Sequence, residues 1–454
     1  MPMTCFKAYD IRGKLGEDLD EGIAHAIGRA FAEALGARRV VLGRDIRASS
    51  ESLAAAVAEG LVTQGVEVLD LGLSGTEEMY FATSRFAADG GICVTASHNP
   101  MDYNGMKMVK AGSAPLDPAT DLASVKALAE SGTFAPAAQP GRVIPAEGAR
   151  DTYVERVLSF VDIPALRPLR LLVNAGNGAA GPTFDAIMTA LEAQGAPLTV
   201  MRMHHRPDGS FPNGIPNPLL DENQPATAEA VRAAGADLGI AWDGDFDRCF
   251  FFDAEGRFVP GEYLVGLLAE AFLAKEPGAK IVHDPRVIWN TLDVVSAAGG
   301  QAIQSRTGHA FIKQTMRETG AVYGGEMSAH HYFRDFVACD SGMIPWLLVV
   351  ELMGRRGQTL AQMIDARRAA FPSSGEINFR VADTAAAIAR VEAAFAPGAL
   401  SRDDTDGLSL CFTEWRLNLR ASNTEPLLRL NVESRANPDL VTARVDQIRT
   451  LITA

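Results

Sequence analysis

No stretch of the chain reaches the roughly 18 consecutive apolar residues that a membrane-spanning helix needs. The best candidate, 344–350, stops at Glu351. The opening residues, Met1-Pro2-Met3-Thr4-Cys5-Phe6-Lys7, lack the apolar region of a secretory signal, because Lys7 and Asp10 interrupt it. Cysteine is scarce: five residues, at 5, 93, 249, 339 and 411, isolated and odd in number. Their spacing excludes a zinc motif or a redox pair, and it suits small buried thiols in a reducing cytoplasm. Positive charge is also in deficit. Lys plus Arg number 42 against 56 Asp plus Glu, a net charge of −14. Long-range repulsion therefore argues against nucleic acid or an anionic membrane surface as partner, although a local basic pocket could still hold a small anion. The rest is ordinary. With 47% hydrophobic and 22% charged residues, 42 Gly and 24 Pro, the 454-residue chain has the composition of a soluble globular protein. Its length alone suggests about three domains.

Helix-period and strand-like segments alternate from about residue 18. Ile23, Ile27, Phe31 and Leu35 share one helical face; residues 40–42 are a strand, 50–64 a helix, 66–71 a strand, and a further helix leads to the strand 91–95. The same rhythm resumes at 169–174, 236–242, 280–283 and 321–324. Such alternation predicts mostly parallel sheets covered by helices. Helix-breaking stretches at 132–148 and 371–375 are the expected boundaries. Beyond them, strands at 377–381 and 408–419 and helices at 384–395 and 438–453 predict a small α+β domain.

In open α/β sheets, ligands bind at the carboxyl ends of strands. Four polar clusters follow apolar runs: Thr95-Ala-Ser97-His98-Asn99-Pro100, Asp243-Gly-Asp245-Phe-Asp247-Arg248, Thr307-Gly308-His309 and Gly325-Glu326-Met-Ser328-Ala-His330. A fifth, Arg420-Ala-Ser422-Asn423-Thr424-Glu425-Pro426, precedes a strand. Asp243, Asp245 and Asp247 alternate, and three carboxylates that close together call for a cation. Oxygen ligands favour Mg²⁺ or Ca²⁺. Counting from Asp243, an EF-hand would need Gly at position six and Glu at twelve, but Arg248 and Ala254 stand there. Mg²⁺ shared with a phosphate fits better, with Arg248 as a fixed cation beside it. An acidic solvated turn is the plainer alternative.

Ser97 can be a nucleophile, a phosphate acceptor or a turn residue; Lys107, ten residues on, adds a cation for phosphate chemistry. His98 taken alone fits a satisfied structural histidine better than a catalyst. Gly176-Asn-Gly178-Ala-Ala-Gly181 matches a dinucleotide fingerprint, yet the next strand ends in His204-His205 where an acidic residue belongs. A tight strand-to-helix turn is the better account. The loop from Arg420 to Thr424 offers guanidinium, hydroxyl and amide donors suited to a phosphate dianion, or to a surface turn. Glu326, Ser328 and His330 alternate and could face one sugar, or form a polar loop.

Together these motifs resemble the α-D-phosphohexomutase superfamily, most closely its bacterial phosphomannomutase/phosphoglucomutase branch. The resemblance runs from Phe6-Lys-Ala-Tyr9-Asp-Ile-Arg12-Gly to Pro426, and TASHNP, DGDFDR, GEMSAHHYF and RASNTEP occur in that order. It implies three similar α/β domains of mixed or parallel sheet and a smaller C-terminal α+β domain around a central cleft. The domains expected are 1–143 (phosphoserine), 144–252 (metal-binding), 253–370 (sugar-binding) and 371–454 (phosphate-binding).

By matching motif, Ser97 is the expected phosphorylated serine, ligating Mg²⁺ together with Asp243, Asp245 and Asp247. Lys107, Arg248 and His330 are expected to act in catalysis. Tyr9, Arg12, His98, Arg286, His309, Glu326 and Ser328 are expected around the substrate, with Arg420, Ser422, Asn423 and Thr424 on its non-transferring phosphate. Relatives often carry Lys where this chain has Asp284-Pro285-Arg286, which leaves the role of Arg286 open. The implied reaction is reversible interconversion of hexose 1- and 6-phosphates, of mannose and glucose, through phospho-Ser97 and a bound hexose 1,6-bisphosphate. A cytoplasmic monomer is expected. The competing functions are a phosphatase with Asp243 as nucleophile and Asp245 as acid, and a non-catalytic sugar-phosphate sensor.

Overall fold

The computed structural model describes residues 2–421 and 427–454. Two compact units divide it: residues 1–258 with 332–357, and residues 259–331 with 358–454.

In the first unit, Asp20 caps the helix Glu21–Leu35 by accepting from the Ile23 N–H, and Gly36, at φ +59°, ends it. Its apolar face, Ile27 and Phe31, packs with Val57 and Leu61 of the helix Ser50–Thr63 and with Val40, Val68 and Ile92 of the sheet. The parallel centre of that sheet runs Gly90–Val94, Arg39–Arg44, Glu67–Leu73, Arg142–Pro145. On the other side Tyr103–Lys110 and then Ile11–Lys14 add antiparallel strands. The turn-rich stretch 132–148 thus contains a strand, Arg142–Pro145, that its composition conceals. A second sheet orders Cys249–Phe252, Leu238–Trp242, Leu169–Asn174 and Leu198–Met203, the last three parallel and the first antiparallel. Residues 332–357 return to this unit: Trp346 of the helix Met343–Arg356 packs against Phe184, with ring centroids 5.3 Å apart.

In the second unit the parallel strands Gln301–Gln304, Lys280–His283 and Tyr323–Gly325 lie side by side. The C-terminal sheet is antiparallel throughout, ordered Ile377–Arg380, Leu427–Ser434, Trp415–Ala421, Leu408–Cys411, Ser401–Asp403. The expected strand region 408–419 is a hairpin of two strands, because both arms bury the same face: Leu408, Leu410, Leu417 and Leu419 enter one core with Ile448 and Ile452. The helices Thr384–Phe395 and Pro438–Thr453 have the bounds their periodicity predicts.

Among the described residues, no helix is long and apolar enough to cross a membrane. Cys5, Cys93, Cys249 and Cys339 are buried, as small hydrophobes in the core.

Candidate active site

Ser97 sits in the connection between two antiparallel strands, Gly90–Val94 and Tyr103–Lys110, whose register pairs Cys93 with Lys107. That register returns the Lys107 side chain toward the loop it follows. The third strand, Ile11–Lys14, pairs Arg12 with Gly105 and brings a guanidinium to the same edge. Arg12 bonds Asp10 at 3.0 Å and reaches Asn99 at 3.4 Å. Tyr9 is half-buried just before this strand.

The Ser97 loop is tightly bound. Ser97 adopts φ +48°, its N–H donates to Thr95 Oγ1 at 2.9 Å, and Arg47 donates to the carbonyls of Ser97, Asn99, Pro100 and Tyr103. Asp45, buried, accepts from Ser50 and Thr95 and pairs with Arg47. Arg47 and Asp45 went unnoticed in the sequence. They stand at the carboxyl end of the strand Arg39–Arg44, so the strand-end rule applied to that strand would have found them.

The aspartate loop meets Ser97 from the second sheet. It follows Leu238–Trp242, and Ser97 Oγ donates to Asp243 Oδ2 at 2.5 Å. One close approach permits this. A Cβ on Gly244 would lie 2.6 Å from the Ser97 carbonyl oxygen. Carboxylate oxygens of Asp243, Asp245 and Asp247 all lie within 4.8 Å of one another, and all three residues are buried. The predicted triad therefore converges, and it is not a solvated turn. Lys107 Nζ donates to Asp245 at 2.7 Å and also to Asp247; Thr76 Oγ1 donates to Asp245 at 2.6 Å. Burial and Asp247 push the Asp245 carboxyl up, but Lys107 and Thr76 outweigh them and hold it below the usual range. Burial dominates at Asp243 and raises its carboxyl, against the opposing charge of Arg248.

Arg248 grips Asp243 Oδ2 with Nε at 3.0 Å and Nη2 at 2.7 Å, and Nη2 also donates to His98 Nδ1. Burial and the charge of Arg248 push His98 far below the usual imidazole range, so it stays neutral and its Nδ1 accepts. These residues fit a small hard cation: three convergent carboxylates are present, and Asp245 Oδ1 is buried with no hydrogen-bond partner.

The glycine motif at 176–181 forms the predicted tight turn. Gly176 and Asn177 have φ +57° and +58°, and the Ala179 N–H donates to the Gly244 carbonyl at 3.1 Å. A Cβ on Gly178 would lie 2.9 Å from that same oxygen.

In the second unit, Arg286 is a hub. Its Nε and Nη2 fork onto the two oxygens of Asp284, at 3.1 and 2.9 Å, and Nη2 reaches Ser328 Oγ at 3.2 Å. Glu326 lies 3.7 Å from Arg286 and from His330, and accepts from the Gly308 N–H at 2.9 Å. A lysine has one nitrogen and could not make the Asp284 fork while also reaching Ser328. His330 Nδ1 is 3.4 Å from Ser328 Oγ, and His309 opens the helix His309–Thr319. Arg420 is buried and bonds Glu376 at 3.0 Å. Ser422, Asn423 and Thr424 lie outside the described residues. Glu376 carried no motif signal in the sequence.

Four family models match the chain: the phosphoglucomutase/phosphomannomutase alpha/beta/alpha domains I, II and III, over residues 3–135, 151–256 and 260–371, and the C-terminal domain over 376–451. The chain belongs to the phosphoglucomutase/phosphomannomutase family. It is 59% identical to a phosphomannomutase of Salmonella montevideo over 451 residues, covering 99% of each chain. To the phosphomannomutase of Escherichia coli K12 the identity is 57%, again over 99% of each. Among solved structures, a family member from Burkholderia thailandensis superposes with a TM-score of 0.89 at 32% identity, over 99% of this chain and 97% of that one. The parafusin phosphoglucomutase of Paramecium shares the fold, with a TM-score of 0.77 at 15% identity over 98% and 94%. The expected family and fold class are thus borne out, including three α/β domains and a small antiparallel C-terminal domain.

Proposed function

We propose that the protein reversibly interconverts hexose 1-phosphates and 6-phosphates, of mannose and of glucose, carrying the phosphoryl group on Ser97. The observation that carries this reading is the buried Ser97 hydroxyl, 2.5 Å from one member of a convergent carboxylate triad and flanked by Lys107 and Arg248. The family membership supports it, as does the name phosphomannomutase borne by relatives at 57–59% identity.

Transfer of a phosphoryl group is chiefly positioning and charge neutralisation. In the forward half-reaction the Ser97 Oγ–P bond breaks as a P–O bond forms to the free sugar hydroxyl, whose proton passes to a base in the cleft. The resulting hexose 1,6-bisphosphate turns, and its other phosphate returns to Ser97. Mg²⁺, held by Asp243, Asp245, Asp247 and the Ser97 phosphate, would supply positive charge to the transferring group. Lys107 and Arg248 add fixed cations there, and Arg12 with Tyr9 and neutral His98 orient the phosphate. Glu326 and Ser328, held by Arg286, would meet sugar hydroxyls, with His309 nearby in the same unit. Arg420 with Ser422, Asn423 and Thr424 would grip the phosphate that does not move.

The phosphatase alternative needs Asp243 to attack phosphorus. Its Oδ2 already accepts from Ser97 and twice from Arg248, and its Oδ1 accepts from the Arg248 N–H at 3.4 Å. A carboxylate so engaged suits positioning better than attack. A sensor would have no use for an acceptor hydroxyl. The reading also keeps the four domains 1–143, 144–252, 253–370 and 371–454, a cytoplasmic location and a monomer.

Intact-mass and peptide mapping test it. A phosphoryl group on Ser97 is expected, and Ser97→Ala should lose almost all interconversion of mannose 1- and 6-phosphate while keeping its fold. Rapid release of inorganic phosphate with the label on Asp243 would establish the phosphatase instead.

A further inference from the structure

Glu376 gathers three guanidiniums. Its Oε2 lies 3.0 Å from Arg420 Nη2 and 3.5 Å from Arg286 Nη1, and its Oε1 lies 3.4 Å from Arg429 Nη1. Arg286 is already matched by the Asp284 fork. Arg420 and Arg429 therefore reach the same Glu376 carboxylate. Arg420 Nε is also buried with no hydrogen-bond partner, so this guanidinium has a donor left for a ligand. Burial raises the Glu376 carboxyl, but the three arginines outweigh it and hold it ionised, below the usual range. An incoming phosphate dianion would take the spare donor, and would meet Glu376 as a like-charged competitor for Arg420.

We infer that Glu376 is a built-in counter-anion that competes with the non-transferring phosphate for Arg420 and thereby weakens the clamp. The inference rests on the mutase reading and deepens it. Such an enzyme has to let go of one phosphate and accept the other in every cycle. A clamp that binds ground state and transition state alike gains nothing in turnover from extra tightness. Glu376 is accordingly a positioning residue whose charge sets how readily the phosphate leaves.

The test is Glu376→Gln, which keeps the shape and removes the charge. Titration calorimetry with glucose 6-phosphate and with inorganic phosphate, in a Ser97→Ala background, reads binding without turnover. Both dissociation constants should fall roughly tenfold, equivalent to about 1.4 kcal/mol. In the otherwise native enzyme KM should fall with it and kcat should drop. Glu376→Asp, which keeps the charge, should stay within about twofold of wild type. A residue that only held the guanidiniums in place would give the opposite sign. Unchanged or weaker binding in Glu376→Gln therefore overturns the inference, even where the enzyme interconverts hexose phosphates normally. If the wild-type protein showed no interconversion while Glu376→Gln still tightened phosphate binding, the mutase reading would fail and the counter-anion role would stand. Should Glu376→Gln fold poorly, Glu376→Ala with the same ligands gives the same two outcomes.

Discussion

Gly244→Ala is the most informative single change in the first unit. The added methyl would stand 2.6 Å from the Ser97 carbonyl oxygen, where ordinary contact begins at 3.4 Å. About 0.8 Å of separation must therefore open between the two loops. Neither side can give cheaply. The Ser97 carbonyl is pinned by Arg47 Nη2 at 2.9 Å, and the Gly244 carbonyl is held from behind by the Ala179 N–H at 3.1 Å. The 2.5 Å bond from Ser97 Oγ to Asp243 spans that gap and would be lost first. A misplacement near 1 Å at a reacting centre costs about 10²-fold, so kcat/KM should fall roughly 30- to 100-fold. Overpacking should also cost about 1–3 kcal/mol of stability, visible in urea unfolding. Steady-state kinetics on mannose 1-phosphate, with intact mass to follow Ser97 phosphorylation, would measure the loss. Gly398→Ala is the control: its nearest atom is Phe412 Cε1 at 3.9 Å, and it should be silent. Wild-type kcat/KM in a folded Gly244→Ala protein would show that the backbone contact does not position the reaction.

Arg420→Ala should raise KM more than it lowers kcat, by roughly 10- to 150-fold, since a hydrogen bond to a charged group is worth about 1.5–3 kcal/mol. The penalty should be equal for mannose and glucose phosphates, and a loss confined to one epimer would contradict the clamp. Lys107→Met should leave Asp245 and Asp247 without their ammonium partner, costing about 3–5 kcal/mol of stability in metal-free buffer, with partial recovery when Mg²⁺ is added. Recovery by Mg²⁺ no better than by NaCl would argue against a cation at the triad. His331 is buried, shares a hydrogen bond of 2.7 Å between its Nδ1 and Tyr323 Oη, and has its imidazolium pushed down to about 3 by burial and by His330. Between that value and the 6.5 of a free imidazole the unfolded chain binds a proton that the folded chain refuses, so stability rises with pH across this window and is unaffected above it. At pH 5 the deficit is on the order of 2 kcal/mol, and His331→Gln should remove it from urea curves compared at pH 5 and 7.5; an identical pH slope in the variant would refute the assignment.

The division between what the sequence disclosed and what it hid follows from where the information lies. Spacing along one strand end is local, so the alternation of Asp243, Asp245 and Asp247 and their convergence within 4.8 Å follow one from the other. The helices 384–395 and 438–453 are legible for the same reason, since a buried face repeats every turn. Arg47 and Glu376 act through partners 50 to 56 and 44 to 90 residues away, and no pattern near either residue announces those partners. The glycine motif at 176–181 sits between these cases. Its local form was legible as a tight turn and its lack of an acidic partner excluded a dinucleotide, but its purpose appears only in three dimensions. With no Cβ at Gly178 the turn can touch the Gly244 carbonyl, and with no Cβ at Gly244 the aspartate loop can touch Ser97. Two missing methyl groups stack three backbones, and that stack places a serine hydroxyl against a carboxylate triad. Residue identity states what a glycine permits; only the fold states which neighbour it is permitting.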